Sequence, residues 1–278
     1  MRADRRRRAA GLTGATARLV AAVTPLIAVC AGIGAAVAGG TGAIIGVVVA
    51  GLVLAAVGTY CDRLALSAML ARPVSEVEHP ELYRLVRELS KGGRLPVPRL
   101  FLSPAEQPNS FAVGRNPRGA AICCTEGLLA SLDEAELRGV LGHELAHVSG
   151  RDILPATVSA GLATVITFPA SLARPLMLVL GPVAALVIRL SVTRQREYRA
   201  DAAGALLAGD PVALAGALRK IEAGVAELAL APDARLSSVA HLMIASPFHP
   251  EGFARLFATH PPLGERLRRL EALAGYRR

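Results

Sequence analysis

The sequence has no tryptophan, and only 4% of its residues are aromatic and 19% charged. Soluble domains carry roughly 25% charge, so the chain sits on the membrane-protein side of that average. A disordered tail is excluded as well, because 53% of the residues are apolar. Four cysteines in 278 residues (Cys30, Cys61, Cys123 and Cys124), two of them adjacent, exclude a disulfide framework and suit a reducing compartment. Charge is missing altogether from residues 19–61, a run of 43 positions. One bilayer crossing takes about 20 apolar residues in a helix, so the run accommodates two. Its only turn-like composition is Gly39, Gly40, Thr41 and Gly42, which places a hairpin tip between spans at 19–38 and 43–60, with Pro25 kinking the first.

The charge that is present is mostly positive, with a formal net of +9. Arg2, Arg5, Arg6, Arg7, Arg8 and Arg18 precede the hairpin, Arg63 and Arg72 follow it, and its tip is uncharged. By the positive-inside rule both ends of the hairpin are cytoplasmic. A nucleic-acid partner is not expected, because lipid-length apolar sequence adjoins the arginines. An export signal does not fit two successive spans, and Ile27-Ala28-Val29-Cys30 lacks the small residue expected before a lipidated cysteine. A second uncharged stretch covers residues 153–173 and, after Arg174 and Pro175, residues 176–188. Its first half is about 31 Å long as a helix. It either crosses the bilayer, with Arg189 snorkelling, or forms a helical hairpin buried in protein.

Between the apolar stretches, Leu82, Leu85, Val86 and Leu89 recur at helical spacing after Pro80. Gly92, Gly93, Pro96 and Pro98 break that helix, and short strands are read at 99–102, 111–113 and 120–124. Ser131-Leu132-Asp133-Glu134 has the form of a capping box, opening a helix to Ser149 with Gly150 as its stop. Beyond Arg194 the signals are helical, ending with Leu263, Leu267, Leu270 and Leu273 on one face. The expected organisation is a basic cytoplasmic head (1–18), a transmembrane hairpin (19–61), a first half-domain (62–151), a membrane-associated hairpin (152–193) and a second half-domain (194–278).

His143-Glu144-Leu145-Ala146-His147 on the capped helix is an H-E-x-x-H pattern. Residues four apart on a helix share a face, so the two imidazoles can hold one metal ion, with Glu144 on the ion's open side as general base. A catalytic zinc needs a third protein ligand and one open position. Glu197 and Asp201, again four apart, supply it: Glu197 as the ligand, and Asp201 as a hydrogen-bond acceptor orienting a zinc-bound histidine. His79, His241 and His249 read as ordinary loop or surface residues.

Together these residues resemble the HtpX-type membrane zinc metalloproteases, a family that also includes the CAAX prenyl endopeptidases. The resemblance is carried by residues 108–117 (PNSFAVGRNP), by Thr125-Glu126-Gly127-Leu128-Leu129, by His143 to His147 with Arg151-Asp152-Ile153-Leu154 after it, by Arg196 to Asp201, and by Thr259-His260-Pro261-Pro262 with Glu265 and Arg266. Departures are Ser110 and Val113 where Ala and Thr are common, Gly142 where Ala is usual, Cys123 and Cys124, and Gly264. None removes a ligand. Gly139 and Gly142 weaken an isolated helix by about 1 kcal/mol each, and their expected use is to let a neighbouring element approach.

The resemblance implies a mainly α, integral-membrane protein: a gluzincin-like core with a small β-sheet, interrupted by transmembrane or membrane-associated helical hairpins. It implies one Zn2+ per chain held by His143, His147 and Glu197, in a multi-pass protein of the inner membrane whose site faces the cytoplasm. The 49 residues between His147 and Glu197 then read as an inserted helical pair dividing one site. The implied activity is endopeptidase cleavage of membrane or misfolded proteins. His260 is a second catalytic candidate, donating to the tetrahedral intermediate, with a helix-capping or structural role as the alternative. Substrate is expected to lie extended against Asn109 and to add a strand to an edge formed by Ala120, Ala121, Ile122, Cys123 and Cys124. Two other classes are a non-proteolytic scaffold or chaperone, opposed by the intact motif, and a metal transporter, opposed by the charged exit Arg151-Asp152. The oligomeric state is left open.

Overall fold

The computed structural model describes residues 2–150, 153–230, 233–249, 252–257 and 259–275. Arg151 and Asp152, the charged exit of the motif helix, lie outside the described residues. Helix α1 (Arg2–Ala68) turns back on itself at Ala38 and Gly39, the latter at φ +59°, a backbone that glycine adopts freely. Small residues let the two arms touch: a Cβ on Gly34 would come within 2.1 Å of the Gly42 carbonyl oxygen, and one on Gly46 within 2.3 Å of the Cys30 carbonyl oxygen. Close backbone approach of this kind is how helices associate in lipid.

Helices α5 (Ile153–Leu172) and α6 (Met177–Ser191), joined by a 3₁₀ turn at Arg174–Leu176, pack beside the second arm of α1. Val57 and Cys61 meet Leu162 and Val187, and Gly161 faces Val57. Large apolar side chains remain exposed on α1 (Ile33, Ile44, Leu52), on α5 (Phe168, Leu172) and on α6 (Leu178, Val179). Among the described residues, the stretches Val23–Ala68 and Ile153–Leu172 are long and apolar enough to cross a membrane. Two-thirds of α5 is nevertheless covered by protein. Its polar face carries Ser159, Thr164 and Thr167, which bond to His241, Ser238 and the Ala234 carbonyl. Arg189 is exposed, and its guanidinium donates to the carbonyls of Arg255 and Leu256.

A four-stranded sheet follows β1 (Arg72–Pro73), β2 (Arg99–Ser103), β3 (Ser110–Val113) and β4 (Ala121–Thr125), in the order β1-β2-β4-β3. β4 runs parallel to β2 and antiparallel to β3, with Ser110 opposite Cys124 and Val113 opposite Ala121. One face, with Ile122 and Cys124, packs on the helices of the main core. The other, with Phe111, Ala121 and Cys123, packs on Ala65, Met69 and Ala156 of the hairpins. Period-two alternation thus sends the adjacent cysteines to opposite faces. Burial pushes the Cys124 thiol to about 12 and raises Cys123 well above its usual value, so both stay neutral and inert.

The remaining helices are α2 (Pro80–Gly93), α3 (Glu126–Ser131), α4 (Glu134–Gly150), α7 (Arg194–Ala208), α8 (Pro211–Glu227), α9 (Ala234–Val239) and α10 (Leu263–Gly275). The capping box opening α4 is shifted by two residues from the expected one. Asp133 N–H donates to Glu136 Oε2 and Glu136 N–H to Asp133 Oδ1. Ser131 belongs to α3 and donates back to the Gly127 carbonyl. Asp serves as N-cap as well as Ser does, and Leu132 between the helices allows the break.

Candidate metal centre

Helix α4 reaches the middle of the molecule because its glycines admit its neighbours. A Cβ on Gly139 would lie 3.0 Å from Leu214 Cα, and one on Gly142 2.7 Å from the Gly204 carbonyl oxygen. From the other side, a Cβ on Gly204 would stand 2.5 Å from the backbone N and Cα of His143. The α4 and α7 backbones therefore meet at the motif, and Glu197 and Asp201 arrive one turn apart beside the histidines.

His143 Nε2 and His147 Nε2 are 3.2 Å apart. Glu197 Oε2 is 3.8 Å from His143 Nε2, and Glu197 Oε1 is 3.7 Å from His147 Nε2. Three donors on a tetrahedral zinc at about 2.0–2.1 Å lie roughly 3.3 Å from one another, so this spacing fits one small cation between them. Among the described residues this is the cluster of three able to share an ion. All three are buried, at 1%, 4% and 2% exposure, where a bare carboxylate between two imidazoles calls for a compensating charge.

Asp201 Oδ1 lies 2.9 Å from His143 Nδ1, which sets a carboxylate beside the ring nitrogen opposite the one that enters the cluster. Arg266, 3% exposed, grips the same carboxylate with a fork of 2.7 and 2.8 Å and donates its third nitrogen to the Ile244 carbonyl. Burial alone would raise the Asp201 pKa, but the Arg266 charge and hydrogen bonds outweigh it and bring it to about 2. Glu197 is likewise held well below the usual carboxylate range: burial raises it, and His147, His260 and Arg196 together overcome that. Glu144 goes the other way. Desolvation, helped by the Glu197 charge, lifts it to about 7 against the opposing pull of His147, Ser110 and Arg196.

His260 comes to the site, its Nδ1 3.5 Å from Glu197 Oε2. The expected substrate strand does not. β4 is flanked by β2 and β3 and offers no edge, and Ala120, Ala121, Ile122 and Cys123 are 0–1% exposed. Asn109, 1% exposed, is an internal clamp: Nδ2 donates to the Ala245 carbonyl and Oδ1 accepts from Ser110 N–H. His241 is no surface residue. It is fully buried against Ser159 and the Ala156 carbonyl, and burial lowers it to about 3. Ser110, which donates to Glu144, and Arg266 were missed as site residues. Arg266 carried a signal, because three after Leu263 and four before Leu270 puts a charge on an apolar helical face.

The sequence profile of peptidase family M48 matches residues 76–274, a segment that contains every residue of this cluster. The chain belongs to peptidase family M48. Curated relatives agree. A protease HtpX homolog of Kineococcus radiotolerans is 56% identical over 236 residues, covering 77% of this chain and 80% of the relative. One of Paenarthrobacter aurescens is 49% identical over 269 residues (90% and 93%). One of Syntrophobacter fumaroxidans is 40% identical over 283 residues (93% and 98%). This M48 peptidase is therefore a metalloprotease, a hydrolase of peptide bonds, with helices long and apolar enough to cross a membrane.

Proposed function

We propose that this M48 peptidase is a multi-pass endopeptidase of the inner membrane. It carries one zinc, held by His143, His147 and Glu197, and cleaves membrane or misfolded proteins at the cytoplasmic face in protein quality control. The observation that carries the reading is the convergence of two imidazoles and a carboxylate, from helices on either side of the second hairpin, within 3.2–3.8 Å of one another. Nitrogen and carboxylate donors in this number suit zinc.

When bound, zinc supplies a Lewis acid that acidifies a water and polarises the scissile carbonyl. Glu144 accepts the water proton and passes it to the leaving amine, work for which a carboxylate near neutrality is suited. Asp201, backed by Arg266, holds His143 in its ligating tautomer. His260, beside Glu197, donates to the substrate oxygen as negative charge develops. A cavity of about 210 Å³ between His260, Pro261, Ala245 and Arg266 can receive a substrate side chain.

Two measurements test this reading. Glu144→Gln in detergent-purified protein is expected to keep its metal and to lose chelator-sensitive casein cleavage by roughly a hundred- to ten-thousandfold. Undiminished cleavage would remove Glu144 from the chemistry and reopen the scaffold reading. For topology, a Gly40→Cys protein in intact cells should react with an impermeant maleimide, with the parent protein as blank. Labelling only after the cells are opened would reverse the orientation.

A further inference from the structure

The structure assigns a positioning role to Ser110: its hydroxyl fixes one oxygen of Glu144 so that the other carries the proton. The assignment rests on Glu144 being the proton carrier. Ser110 Oγ donates to Glu144 Oε1 over 2.6 Å, with both side chains buried. A serine hydroxyl has one hydrogen to give, and here it is committed. Glu144 Oε2, in contrast, has no hydrogen-bond partner among the described residues. The terminal torsion of a glutamate is broad, so an outside contact restrains its plane, and in this chain, among the described residues, Ser110 supplies that contact.

The donor stands on a rigid support. Ser110 N–H donates to Asn109 Oδ1 at 3.2 Å, and its carbonyl accepts from Ile244 N–H at 2.9 Å. Asn109 is itself tied to Thr125 Oγ1 and the Ala245 carbonyl. The hydroxyl is thus carried by the sheet and the base by helix α4, and the hydrogen bond sets one against the other. A hydroxyl serving only to fill the core would not be aimed at the Glu144 carboxylate.

Ser110→Ala removes the donor with little change in volume. Its kcat is expected to fall roughly ten- to a hundredfold, the scale of a hydrogen bond to a charged group, with KM and zinc content unchanged. Ser110→Thr keeps the hydroxyl and should restore most of the turnover. A readout independent of turnover is the infrared carboxyl spectrum of the metal-free protein, with Glu144 bands isolated by subtracting the Glu144→Gln spectrum. Those bands should shift in Ser110→Ala and return in Ser110→Thr. Parental kcat in Ser110→Ala, a loss confined to KM, or unmoved bands would overturn the role. If Glu144→Gln is inactive while Ser110→Ala is fully active, only the Ser110 role fails. If Glu144→Gln stays active, the proton-carrier reading beneath it fails.

Discussion

Asp201 is a charged side chain at 2% exposure, and two neighbours account for its charge, His143 on one oxygen and the Arg266 fork across both. Removing one partner of such a pair leaves an uncompensated buried charge. Arg266→Met is therefore expected to destabilise the protein by about 3–5 kcal/mol, read as a lower thermal transition in detergent. Asp201→Asn should instead weaken zinc binding roughly ten- to a hundredfold, measured by competition with a chelator. An Arg266→Met protein as stable as the parent would show that Asp201 does not rely on the guanidinium. At this scale helical spacing aligns 143 with 147 and 197 with 201, although nothing local joins the two pairs, and the structure brings all four residues together. Ser110 and His241 were not legible in the sequence. Each gains its meaning from a partner far along the chain, Glu144 and Ser159 respectively, and nothing local marks a hydroxyl or an imidazole as buried.

Elements were read well where periodicity is strong and poorly where pairing decides. The helix opened by Pro80 and the three longer strands lie within a residue or so of their expected places, since apolar spacing and Gly/Pro breaks are local signals. The role of β4 was misread because strand order is a property of the whole sheet: β4 is held between β2 and β3, and the edge beside the motif helix is β3. The glycines of α4 were read correctly as points of close approach, and α7 supplies the matching one. Gly204→Ala puts a methyl 2.5 Å from the His143 backbone. It should cost about 1–3 kcal/mol by overpacking and lower zinc occupancy by displacing the histidine. Gly264→Ala, on α10 with only Arg268 Nη1 3.9 Å away, should be neutral or stabilising by up to about 1 kcal/mol. Thermal transitions and metal content of the two variants check this contrast, and equal behaviour would mean that the α4–α7 contact does not constrain the site.

In the whole molecule, a layer of apolar helices lies on one face of the sheet, and the helices carrying the cluster lie on the other. The chain leaves α4 with two residues of the cluster in place, runs through α5 and α6, and brings the third on α7. The candidate metal centre is therefore assembled only when both halves of the peptidase region have closed around the second hairpin, and this long-range closure is what local sequence patterns could suggest only through resemblance. The most direct measurement is zinc stoichiometry with X-ray absorption on detergent-purified protein, beside Glu197→Ala. The expected result is one zinc per chain with nitrogen and oxygen neighbours at about 2.0–2.1 Å, and a large loss of zinc on replacing Glu197. Parental zinc affinity in Glu197→Ala, or a purified protein that takes up no zinc, would contradict it.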